Sequence, residues 1–254
     1  RYIDGYDCGI RYMDDHIGQL FATLEKAGVM DALAIIISSD HGENQGELSV
    51  YGDHQTADHI TNRVPLIVRH PEGVGGRGRV DRALHYQFDW AATLLQMLGR
   101  QVPPSWDGVS FCDAFREERE SGRDFLVVSN CAWACQRSVR WEDYLLIRTY
   151  HSGFKNYPDV MLFDVATDPH ELEDLAPRQP ERVAEGIVKL EQWTSDELNR
   201  SPRPVDPLRV VLSEGGPFHA RYTDARFEDY KQRLRETGRE AFAEELERRR
   251  LQGR

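Results

Sequence analysis

The stretch Ala32-Leu33-Ala34-Ile35-Ile36-Ile37-Ser38-Ser39-Asp40-His41-Gly42-Glu43 decides the reading of the fold and points to the chemistry. Its first half is a continuous apolar run rich in isoleucine, the pattern of a strand buried on both faces. Upstream, Met13, Ile17, Leu20, Phe21 and Leu24 recur at helical spacing, with Asp14 and Asp15 suited to a first turn and Gly28 to a left-handed stop. A helix running into a buried strand predicts a parallel α/β sheet. Ligands gather at the carboxyl ends of such strands, where side chains leave the core while the backbone stays rigid. An anionic oxygen from Asp40 and a neutral imidazole from His41 can both face one divalent cation there, and Gly42 lets the chain turn away. Asp-His-Gly alone would serve equally well as a polar loop with a capping aspartate. Asp53, His54, Asp58 and His59 follow closely, however, so three of the nine histidines fall among carboxylates within residues 41–59. Metal-assisted hydrolysis requires a cluster of this kind.

Working outward, Val64 to Val68 reads as a second short strand, which Pro65 confines to a sheet edge or a strand beginning. Gly73 to Gly78 lacks the order of a dinucleotide-binding loop and reads as a flexible surface loop. Phe88, Ala91, Ala92, Leu95 and Leu98 form a helical face ending at Gly99. Residues 101–122 are rich in turn signals and end in a charged run, which suits a subdomain boundary. Phe125 to Val128, Tyr144 to Ile147 and Val160 to Phe163 then resemble strands of a small antiparallel sheet. A helix over Pro180 to Asn199 follows, then an extended linker marked by Pro202, Pro204 and Pro207. The charged helical tail beginning near Phe227 reads as solvated, with acid–base pairs at i,i+4. The expected division is residues 1–115, the later part of a catalytic α/β domain; residues 116–200, a small sheet-and-helix subdomain; and residues 201–254, linker and tail.

Lys+Arg number 32 against Asp+Glu 43, a net charge of −11, which argues against a nucleic-acid partner. No apolar run reaches the roughly 18 residues of a membrane helix. The chain reads as soluble, in a bacterial-type cytoplasm or periplasm, and its first residue is Arg1, so upstream sequence is expected. Cys8, Cys112, Cys131 and Cys135 are too sparse for a disulfide framework and lack structural-zinc spacing; small buried side chains are the expectation for the last two. Nothing in the sequence fixes the oligomeric state.

Tyr12 to Gly18, Ile35 to Glu43, Arg63-Val64-Pro65-Leu66-Ile67-Val68, and Phe88 to Leu95 with Gly99, Pro104 and Asp107 to Ser110 together resemble the core of the sulfatase family, a branch of the alkaline phosphatase superfamily. Tyr144 to Arg148, Leu162 to Asp164, Asp168 to Glu171 and Asp174 to Ala176 resemble its C-terminal subdomain. The resemblance spans about residues 6 to 195. It implies the second half of an alkaline-phosphatase-like, mostly parallel sheet domain followed by a smaller α+β subdomain. It implies an enzyme that hydrolyses the sulfate ester of a small molecule or glycan, with Asp40 and His41 as two metal ligands. Calcium is the usual ion, manganese or zinc being alternatives that His41 favours. Relatives place a lysine nine residues before the arginine of Arg-Val-Pro-Leu; here that position is His54, expected to contact the sulfate. His59 stands where relatives often carry glutamate, and a specificity role and a structural one are equally expected.

The nucleophile motif C-x-P-S-R is not found at any of the four cysteines, and the family's other two aspartate ligands lie upstream of a segment like residues 38–43. The resemblance therefore implies a C-terminal portion, inactive alone. A phosphodiesterase or phosphonate monoester hydrolase of the same superfamily is the alternative that Asp40-His41 suggests, and a noncatalytic binding protein retaining the fold is the other. Trp133, Arg137, His151, Lys155 and His219 lie where relatives shape the pocket, with surface placement the default for each.

Overall fold

The computed structural model describes residues 2–71, 78–116, 120–214, 216–217 and 224–251. The chain divides into two compact units: residues 1–40 with 64–123, and residues 41–63 with 124–254. Most of the glycine-rich segment, part of the charged run near residue 118, and His219 lie outside the described residues.

In the first unit, helix α1 (Tyr2–Lys26) continues well upstream of the predicted face, so Asp14 and Asp15 lie in its interior. It stops where Gly28 takes φ +69°, a conformation that costs glycine nothing. Ala32, expected to open the strand, instead ends a 3₁₀ turn (Met30–Ala32), and β1 is confined to Ile35–Ser38. Its partner β4 (Leu66–Arg69) starts directly after Pro65 and runs antiparallel, with Ile36 opposite Val68 and Ser38 opposite Leu66. Neither strand is buried on both faces: Ile36 is 38% and Ile67 59% exposed. Every strand pair among the described residues is antiparallel. A run of three isoleucines signals apolar surroundings but not strand direction, because direction is set by the partner.

Helix α3 (Asp89–Met97) ends at Gly99 as predicted. Its buried Asp89 binds Arg123 at 2.7 and 3.1 Å and takes the amides of Tyr86 and Val109 at 2.8 and 2.7 Å. One carboxylate thus ties down the 101–122 excursion at its middle, Val109, and just past its end, Arg123; the excursion also carries the short helix α4 (Cys112–Arg116).

The second unit is built on an antiparallel sheet of four strands in sequence order: β5 (Phe125–Asn130), β6 (Cys135–Trp141), β7 (Tyr144–His151) and β8 (Val160–Asp164). Sequence reading found three of these and missed β6, whose Gln136, Arg137 and Ser138 look like surface residues. All three are buried. Arg137 makes an ion pair with Asp206 at 2.8 Å and donates to Ser129 and Thr194, so its charge enters the interior already paired. Helix α5 (Pro180–Arg200) packs one face of the sheet, Leu190 joining Val127, Val139, Trp141, Leu146 and Leu162. The opposite face gathers Leu145, Ile147, Tyr157, Met161 and Phe163 and receives Leu48 from the 41–63 segment.

The expected proline linker is shorter than read: Asp206 caps helix α6 (Pro207–Ser213), whose first residue is Pro207. The tail forms a helical pair, α7 (Asp224–Glu236) and α8 (Glu240–Leu251). Phe227, Leu234, Ala243 and Leu246 are buried between them, and Lys231 bridges to Glu247 at 3.0 Å. It is therefore a packed hairpin and not a solvated helix.

Candidate active site

The segment 41–63 carries three of the four predicted site residues and is fastened to the sheet by named contacts. It contains β2 (Asn44–Gln45), β3 (Tyr51–Asp53) and the single-turn helix α2 (His59–Asn62). Gln136 of β6 accepts from the Ala57 amide at 3.2 Å, Tyr157 donates to the Leu48 carbonyl at 3.1 Å, and Lys155 to the Ser49 carbonyl at 2.7 Å. His170 meets Glu47 at 2.8 Å. Two of the five residues assigned to the surface by default, Arg137 and Lys155, thus tie parts of the second unit together. His151 is half-buried, its Nδ1 accepting from the Gly153 amide. Leu48 and Ser49 take positive φ, a conformation that persists only where surrounding contacts impose it.

Gly42 is required. A Cβ there would lie 1.8 Å from the Ile60 carbonyl oxygen, and the Gly42 amide donates to the Thr61 carbonyl at 2.8 Å. This close approach brings His41 back over the segment, where its ring stacks on His54 with centroids 3.5 Å apart and an interplanar angle of 20°. Glu43 Oε2 lies 3.4 Å from His54 Nδ1. One ligand atom each from His41, Glu43 and His54 lies within 4.8 Å of the others, so the three could hold a metal ion. His41 Nδ1 is 2.8 Å from the Gly42 carbonyl oxygen, which can only accept. Nδ1 therefore donates to that carbonyl, which orients the ring. The donor set passes the chemical test for a divalent ion. Two imidazoles and a carboxylate suit zinc or manganese better than all-oxygen calcium.

Of the predicted residues, His41 and His54 are thus brought together. Asp40 precedes His41 in the chain and belongs to the other unit; it is exposed and follows β1, where Ser38 donates to the Pro65 carbonyl and Gln87 to the Ser39 carbonyl. His59 opens α2, and burial, then Arg63 and Arg140, pull its pKa down to about 4, leaving it neutral. Asp58 caps α2 from a fully buried position, accepting from the Thr61 amide at 2.6 Å and from the Thr56 and Thr61 hydroxyls. Sequence reasoning did not single out Glu43 or Glu171. Glu43 stands two residues beyond His41, a spacing that could have flagged it.

The chain is of the α/β class, and it shares its fold with solved structures that include a 2-O GAG sulfatase. The Sulfatase family model matches residues 1–100. The chain is 26% identical over 184 residues to N-acetylglucosamine-6-O-sulfatase of Bacteroides thetaiotaomicron, a match that covers 69% of this chain and 32% of that protein. It superposes with a TM-score of 0.65 on the solved structure of BT4656 in complex with its substrate D-glucosamine-2-N,6-O-disulfate, at 23% identity over 76% of this chain and 40% of the other. The phosphonate monoester hydrolase of Agrobacterium radiobacter matches at 26% identity with a TM-score of 0.56, over 72% of this chain and 38% of the other. Over residues 1–100 the chain is similar to the Sulfatase family, and the curated relatives that it matches include sulfatases. It spans about a third of the length of the curated relatives that it matches. Among the described residues no helix is long and apolar enough to cross a membrane.

Proposed function

We propose that this chain supplies part of the active site of a metal-dependent sulfuric ester hydrolase acting on a sulfated small molecule or glycan. The nucleophile and further metal ligands would come from residues outside these 254. The observation that carries the reading is the juxtaposition of His41, Glu43 and His54 on a segment fixed by Gly42. Asp40 and His41 would hold the ion, which when bound polarises an ester oxygen. The Gly42 carbonyl accepts from His41 Nδ1 and so orients the ring. His54, about two-fifths exposed, would present an N–H to a nonbridging oxygen of the transferring group, with Glu43 behind its Nδ1 to orient the ring. His59, neutral and half-buried, would shape the substrate side and not donate charge.

A second reading, a phosphonate or phosphate diester hydrolase, is favoured by a histidine, His41, as metal ligand and by the likeness to the phosphonate monoester hydrolase. An enzyme carrying this segment together with the nucleophile distinguishes them when assayed on paired aryl sulfate and aryl phosphonate esters. The proposal expects turnover of the sulfate to dominate, and dominance of the phosphonate would replace it with the second reading. In the same enzyme, His54→Ala should lower turnover by about 10²- to 10³-fold while metal content changes little. Near-normal turnover with a lowered melting temperature would make His54 a structural residue.

A further inference from the structure

Glu171 sits in the turn after β8 with φ +54°, an uncommon conformation for a residue with a side chain. It is 5% exposed. One carboxyl oxygen accepts the amide of His59, the first residue of α2, at 2.7 Å, and the other is buried without a hydrogen-bond partner. Asp58, fully buried, stands close enough for its charge to bear on Glu171. A strained residue, a long-range bond to the site segment and an unsatisfied buried oxygen thus coincide in one side chain.

We propose that Glu171 is a positioning residue for the 41–63 segment, holding the start of α2 through the His59 amide while its carboxyl is neutral and loosening it when the carboxyl ionises. A neutral carboxyl can accept one amide bond and tolerate a dry environment; a carboxylate there would be a buried charge with a single donor, facing another acid. Burial first, and Asp58 second, push the Glu171 pKa up to about 8. Asp168 and Glu47 add to the same repulsion, and the His59 amide opposes it. The ring of His59, whose amide Glu171 holds, is neutral down to about pH 4.

The sign follows from linkage. An acid whose pKa is raised in the closed state binds its proton more tightly there, so the closed state loses stability as pH rises from the ordinary glutamate value through about 8. His59, whose pKa is lowered, works in the opposite sense, favouring closure as pH rises to its ordinary value near 6.5. The window between about pH 6.5 and 8 therefore isolates Glu171. The proposal rests on the preceding reading only in treating residues 41–63 as the site. The anchor is tested without turnover, so its failure and that of the hydrolase reading are separate results.

The experiment is hydrogen exchange on the 254-residue chain, corrected for the intrinsic pH dependence of amide exchange and read at the amides of residues 56–62. Wild type should open about tenfold more readily at the upper end of that window than at the lower. Glu171→Gln, which keeps an acceptor oxygen but cannot ionise, should remove that dependence and stay closed throughout. Glu171→Ala should be open at both ends. Equal pH dependence in wild type and Glu171→Gln would overturn the ionisation claim, and full protection in Glu171→Ala would overturn the anchor. If Glu171→Ala does not fold, the wild-type and Glu171→Gln pair decides.

Discussion

The two units bury their apolar residues to very different degrees. In the second, the sheet is covered on both faces, by α5 and by the 41–63 segment, and Trp141, Leu146, Ile147 and Leu162 are at most 1% exposed. In the first, α1 runs for 25 residues without burying one, and β1 and β4 leave Ile36, Leu66 and Ile67 open. Met13 and Leu20, on the helical stripe read from the sequence, are 57% and 56% exposed. The periodicity is genuine, but an apolar stripe records that a surface is meant to be covered, not what covers it. The second unit contains both sides of its core within this sequence; the first presents one side of a packing surface.

The sharpest way to break this contrast is the buried ion pair of the second unit. Arg137→Ala leaves Asp206 charged and without its guanidinium partner at 9% side-chain exposure, and should cost roughly 3–5 kcal/mol in urea unfolding. Replacing both by apolar residues of similar volume should recover most of the loss. A loss below about 1 kcal/mol would mean that water reaches the pair. Leu146→Ala should remove roughly 2–5 kcal/mol, because α5 and the sheet close on it and relaxation cannot fill the space. Gly186 would place a Cβ 2.9 Å from both Leu146 and Trp141, so α5 already lies as close as a glycine permits. Ile67→Ser in the first unit should change stability by no more than about 0.5 kcal/mol, since most of that side chain is in water. A core-sized penalty there would show that β1 and β4 are covered in solution.

What the sequence made legible follows the same division. The helix stops at Gly28 and Gly99 were readable because a left-handed residue has a local chemical signature. The antiparallel sheet was readable from short apolar runs spaced by turn residues, apart from β6, because the partners of Arg137 and Gln136 lie 69 and 79 residues away in Asp206 and Ala57. The direction of β1 was not readable, since a three-isoleucine run is compatible with either kind of neighbour. At the site, the density of histidine and aspartate pointed to residues 41–59, of which His41 and His54 meet. Which of them meet was decided by the Gly42–Ile60 approach, and Glu171 was invisible because its link to His59 crosses 112 residues.

The central claim is that His41 ligates a divalent cation, and calorimetric titration of the chain with zinc and with manganese tests it most directly. Wild type should bind one ion. His41→Ala should weaken binding by at least about tenfold, and His54→Ala should weaken it far less. Unchanged affinity in His41→Ala would contradict the account, and loss of binding in His54→Ala alone would move the metal from His41 to His54.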